Sequence, residues 1–98
     1  MRFDGFDWDA GNRDKCCKHG VSIEEIEAVL RGWPTFSPDK AHSGLEQRFI
    51  AAGRTLAGRA VFIAFTLRMR ADAVLVRPVS ARYMHTKEAA RYGRQRSH

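Results

Sequence analysis

The chain has 98 residues, 44% of them hydrophobic, and carries a formal net charge of +6. That length holds one domain, here 1–98, with one modest core, and the apolar fraction excludes wholesale disorder. No apolar run approaches the roughly 20 residues of a membrane-spanning helix, and the opening Met1-Arg2-Phe3-Asp4 lacks the basic-then-apolar form of a signal peptide, so a soluble, cytoplasmic protein is expected.

The first segment, with Phe3, Phe6 and Trp8, reads as a short aromatic strand. Asp9 can cap a short helix over 10–18, which Gly20 ends as a left-handed residue. Cys16 and Cys17 are adjacent, and a vicinal disulfide staples nothing. A structural zinc site needs four ligands at suitable spacing, and no second cluster is present, so neither metal nor cofactor is expected. Ser22 and Glu25 form a capping box for the next helix, with Val21 and Ile26 at staple positions. Ile23, Ile26, Val29 and Leu30 make one apolar stripe, which is core. Gly32 and Pro34 stop it.

Beyond Pro34 the period changes to that of strands over 46–55, 59–68 and 73–81. The breaks at Ala57-Gly58 and Arg70-Ala71-Asp72 are short enough for antiparallel hairpins. In the middle run both faces are apolar, which predicts a central strand. Pro78 lacks an amide donor and predicts an edge or a bulge. A last helix begins at Thr86, and a basic tail over 93–98 is expected to fray. The order β-α-α-β-β-β-α predicts an α+β fold, an antiparallel sheet packed by the two N-terminal helices.

Residues 1–51 carry 7 Lys/Arg against 9 Asp/Glu, whereas residues 52–98 carry 10 against 2. A half so basic favours an anionic partner such as RNA, DNA or an acidic protein. Four islands of reactive residues sit at the joints: Lys15, Lys18 and His19; His42; Glu46 and Arg48; and Ser80-Ala81-Arg82. Lys15, Lys18 and His19 share one side of the first helix near its C-terminus, where cations also satisfy terminal carbonyls. Histidine is the side chain whose ordinary titration suits acid or base work near neutrality. Glu46 and Arg48, two apart at the head of a strand, point to one face; the pair is either a surface ion pair or a carboxylate orienting a guanidinium beside a phosphate. Arg77 and Arg82 end the third strand, and arginine binds phosphate as a bidentate fork. Tyr83 and Tyr92 can stack on bases or simply pack. Arg68, Arg70, Arg91, Arg94 and Arg96 read as a steering or partner-binding surface.

In RNA the 2′-hydroxyl can attack the adjacent phosphate. If RNA is the substrate, a protein that cleaves it needs a base for the 2′ proton, an acid for the leaving 5′ oxygen and cations for the transition-state charge. Histidine, glutamate, lysine and arginine are all present for these roles.

Several of these segments recur together in one known family. Phe6-Asp7-Trp8-Asp9, Asn12, Lys15, Lys18-His19-Gly20-Val21-Ser22, His42-Ser43, Glu46-Gln47-Arg48, Gly53-Arg54, Thr66, Ser80-Ala81-Arg82, Glu88 and Tyr92 resemble, in order, the BrnT toxins of bacterial type II toxin–antitoxin systems. The resemblance implies a RelE-like ribonuclease fold and a metal-independent RNA endonuclease that inhibits translation. It implies a BrnA-like ribbon–helix–helix antitoxin that masks the toxin and binds operator DNA, with a toxin dimer inside a 2:2 complex. The implied catalytic residues are His19, Glu46, Arg48 and Arg82. Lys15 and Lys18 join Arg77 and Tyr92 as substrate-binding candidates. Arg77-Pro78 stands where relatives carry a β-branched pair, which predicts a distortion near Arg82. Two other readings are a catalytically weak basic module completing a DNA-binding toxin–antitoxin complex, and a DNA-binding protein in its own right. The latter lacks a helix–turn–helix or zinc pattern.

Overall fold

The computed structural model describes residues 2–32, 34–42, 44 and 46–96; Ser43 and the end of the tail, 97–98, lie outside them. The elements are β1 (Gly5–Phe6), α1 (Ala10–Cys17), α2 (Ile23–Arg31), β2 (Thr35–Pro38), β3 (Arg48–Arg54), β4 (Ala60–Arg70), β5 (Ala73–Tyr83) and α3 (Thr86–Arg96). Strand order in the sheet is β1-β5-β4-β3-β2. The architecture is α+β, with β4 at the centre as its two apolar faces require.

Two features correct the expectation. The sheet is mixed, because β1 runs parallel to β5, with Gly5 opposite Leu75 and Phe6 opposite Val76. A further strand, β2, pairs antiparallel with β3, so the order is β-α-α-β-β-β-β-α. Its sequence, Thr-Phe-Ser-Pro, looks like loop; proline is tolerated here because β2 is an edge strand and Pro38 ends it. At the other end of the chain, the expected tail begins inside α3, whose backbone stays helical through Arg96.

Both early helices start as their sequences dictate. Asp9 Oδ1 accepts from Asn12 N at 3.0 Å while Asp9 N donates to Asn12 Oδ1 at 2.7 Å. Ser22 and Glu25 form the second reciprocal box. Asn12 is buried, and its Nδ2 also donates to the carbonyls of Asp7 (2.9 Å) and Pro78 (2.8 Å). One side chain thus caps α1 and closes the edge of β5 beyond the end of β1. Gly20, at φ +91°, turns the chain from α1 into α2.

The helices bury one face of the sheet. Cys16, Val21, Ile26, Val29 and Leu30 pack on Ala51, Val61, Ile63, Phe65, Val76 and Ala81. Burial pushes the Cys16 thiol up to about 11, while Cys17 is exposed, and both are reduced. Gly53 allows α2 to lie close on β3, since a Cβ there would come within 2.8 Å of Val29 Cγ1.

The register of β5 decides what the other face carries. Ala64 pairs with Ser80 but Phe65 with Pro78, so Val79 is an extra, bulged residue. In a regular strand Pro78 and Ser80 would share a face. The bulge instead places Pro78 opposite the buried Phe65, fully buried itself, and turns Ser80 and Arg82 to the face that α1 and α2 leave open. This is the distortion that Arg77-Pro78 predicts. Among the described residues no helix is long and apolar enough to cross a membrane.

Candidate active site

The open face of the sheet holds a groove of about 480 Å³. Its floor is Ile50 from β3, Phe62 and Ala64 from β4, and Ser80 from β5. Around the floor stand His19 from the α1–α2 turn, Arg48 at the head of β3 and Arg82 near the end of β5. Asp39 and His42 enter from the β2–β3 connection, and Glu88 from the first turn of α3. Residues separated by more than sixty positions in the chain therefore meet in one place.

Arg82 is held firmly. Its Nη1 and Nη2 each donate to one oxygen of Glu88 at 2.9 Å, and its guanidinium lies 5.0 Å from the centroid of the Phe62 ring. Glu88 also accepts from His85 N at 2.8 Å. The Arg82 guanidinium, helped by that amide, pulls the Glu88 carboxyl down to about 2, and Glu88 in turn raises Arg82 above its ordinary value. A guanidinium has more donors than one carboxylate accepts, so a phosphate oxygen can still be bound.

His42 and Asp39 form a dyad. Nδ1 of the exposed His42 ring lies 3.2 and 3.1 Å from the two oxygens of Asp39. A carboxylate accepts, so this pairing suits the tautomer in which Nδ1–H is the donor and Nε2 is the ring's acceptor. Asp39 is buried, and its N–H donates to the carbonyl of Arg48 at 2.7 Å. The dyad is thereby tied to the strand that bears Arg48.

Of the residues singled out from sequence, His19, His42, Arg48, Ser80, Ala81 and Arg82 come together here. Glu46 does not. Its carboxylate is taken by Arg68, with Nε at 2.7 Å and Nη2 at 3.2 Å, on the exposed surface. Counting back from the Arg48–Thr66 pair brings Glu46 opposite Arg68, and that cross-strand partner prevails over Arg48 on its own strand. Arg77 also lies outside the groove. It bonds Asp9 at 2.9 Å, with Asp7 at 3.7 Å, and bolts the start of α1 to β5. Lys15 lines a small cleft with Gly11, Asn12, Arg77 and Val79, and Lys18 is the exposed C-cap of α1. Tyr92 is buried beneath Arg54, whose guanidinium lies 5.5 Å from the ring centroid. The Tyr83 ring is covered by Arg59 at 3.4 Å and its hydroxyl donates to Glu25 at 2.7 Å, which leaves neither tyrosine presented to the groove.

Asp39 escaped sequence reasoning altogether, and His42 was visible as an isolated reactive residue and in the family pattern, without its partner. The Asp-x-x-His spacing of 39–42 is the local signal that links them. Glu88 was legible only through its place in the family pattern.

No curated protein matches the chain. A family model described as "Ribonuclease toxin, BrnT, of type II toxin-antitoxin system" matches residues 8–88, a span that contains every residue of the groove. On that match the chain belongs to the BrnT family, the ribonuclease toxins of type II toxin–antitoxin systems.

Proposed function

We propose that the protein is a metal-independent RNA endonuclease of RelE-like fold that inhibits translation, with the groove on the open sheet face as its active site. The observation that carries this reading is the convergence of two histidines and two arginines on one apolar floor. His42 Nε2, with Nδ1–H held by Asp39, takes the proton of the 2′-hydroxyl. The 2′ oxygen attacks phosphorus as the bond to the 5′ oxygen breaks. His19, across the groove floor, protonates that leaving oxygen. Arg48 and Arg82 bind the non-bridging oxygens, where negative charge grows in the transition state. Glu88 fixes the Arg82 fork over Phe62. The products are a 2′,3′-cyclic phosphate and a 5′-hydroxyl.

A type II family implies an antitoxin partner. We take that partner to be a BrnA-like ribbon–helix–helix protein that covers the cationic face, joins two toxins in a 2:2 complex and carries the complex to operator DNA. The carboxylate already seated on Arg82 favours one second reading, a catalytically weak module that serves the complex by binding alone.

A labelled RNA oligonucleotide incubated with purified protein in EDTA separates the two. Cleavage is expected, reduced about 100-fold or more by His42→Ala and by His19→Ala, and by about 100- to 1000-fold by Arg48→Ala, with the variants' circular dichroism unchanged. Intact RNA with the wild-type protein would leave the binding module as the reading.

A further inference from the structure

A second groove, also of about 480 Å³, adjoins the candidate active site and shares Ile50, Phe62 and Glu88 with it. Its floor is apolar: Ala52 and Phe62 are paired across β3 and β4, so their side chains lie on the same open face. One wall is the edge strand β2, where Thr35 opposite Ala52 and Ser37 opposite Ile50 line that face, the Thr35 hydroxyl donating to the Ala52 carbonyl at 3.4 Å and keeping its lone pairs as acceptors. The other wall is α3, which contributes Lys87 and Arg91, four apart and both exposed.

An apolar floor with hydroxyls along one side and two cations along the other has the chemistry of a nucleotide: a flat base, polar edges and a phosphate. The groove continues the first without a break, and Phe62 underlies both, carrying Arg82 on its ring at 5.0 Å. Resting on the ribonuclease reading above, we propose that this second groove is a subsite for the nucleotide one step beyond the pair that flanks the scissile phosphate in single-stranded RNA. Its base lies on the Ile50–Ala52–Phe62 floor. Ser37 and Thr35 meet the base edge, and Lys87 and Arg91 hold the outer phosphate. The subsite makes the protein a reader of unpaired strands, because a duplex cannot lay one base flat on a sheet while its partner strand is attached.

The test compares a non-cleavable 2′-O-methyl dinucleotide, which spans the active site alone, with a tetranucleotide that spans both grooves. The tetranucleotide is expected to bind about tenfold or more tightly, and an abasic unit at the outer position should remove that advantage. Lys87→Ala/Arg91→Ala should shrink the advantage to under about twofold. Arg2→Ala/Arg13→Ala, which removes the same charge outside both grooves, should retain it. Equal affinity for the two lengths, or an advantage that survives both the abasic unit and the Lys87/Arg91 variant, overturns the subsite and leaves the groove to a protein partner. Cleavable RNA of both lengths, run in parallel, separates this from the underlying reading. Cleavage without a length advantage defeats the subsite alone, whereas length-dependent binding without cleavage defeats the catalytic role alone.

Discussion

Arg82 shows how one side chain can be both obvious and misjudged in a sequence. Its position after Ser80-Ala81, where a strand gives way to a helix, marks it as a phosphate ligand. That it is gripped by Glu88 is visible only once α3 folds back on β5. The grip has a pH signature. Glu88 falls from an ordinary 4.5 to about 2, chiefly through the hydrogen bonds from Arg82. Between those values the unfolded chain binds the proton and the folded one does not, so stability is lost as pH falls through the window. The difference in melting temperature between wild type and Glu88→Gln should therefore be largest above about pH 4.5 and close toward pH 2; a gap that is constant over this range would show that Glu88 is not held by Arg82. Glu46 teaches the opposite lesson. The period-2 rule placed it beside Arg48, but a cross-strand arginine captured it, and strand register is not written in the residues of one strand. Asp39 carries only the faint signal of its spacing from His42, because its role comes from burial and from the hydrogen bond that its N–H donates to the Arg48 carbonyl.

Elements with local signals were legible and those made by distant pairing were not. The Asp9 cap, the Ser22–Glu25 capping box, the stripe of α2, both hairpin breaks and the start of α3 all lie in contiguous residues. β1 was legible as a short aromatic strand, but its parallel pairing with β5, about seventy positions away, was not. β2 is four residues bracketed by prolines and exists as the last strand of a sheet already formed. The join between α1 and β5 rests on Asn12, which makes two capping bonds and two bonds to carbonyls. Asn12→Ala leaves the buried Pro78 carbonyl without that donor and should cost about 2–4 kcal/mol. Urea unfolding with an unchanged slope would report it as a lower midpoint. A loss below about 0.5 kcal/mol would mean that water replaces the side chain at no expense and that α1 is anchored elsewhere.

At the scale of the whole molecule, the two halves of the chain divide unevenly between the two sheet faces, and both supply residues to the groove. The acidic first half builds β1, α1 and α2, which carry the core over one face. The basic second half supplies β4, β5 and α3, which frame the open face and its groove. The sequence told which residues are reactive and which half is cationic. It did not tell that the Val79 bulge, by reversing the facing of β5, is what delivers Ser80 and Arg82 to the open side. The proposed cleavage begins with attack by the substrate's own 2′-hydroxyl in that groove. The most direct test is to cleave an RNA oligonucleotide, map the cut, and identify the new ends by mass spectrometry, alongside the same strand with one 2′-deoxy unit at the cut. A 2′,3′-cyclic phosphate and a 5′-hydroxyl are expected, with the deoxy strand uncut at that site; a 5′-phosphate end, or equal cleavage of the deoxy strand, would contradict the mechanism.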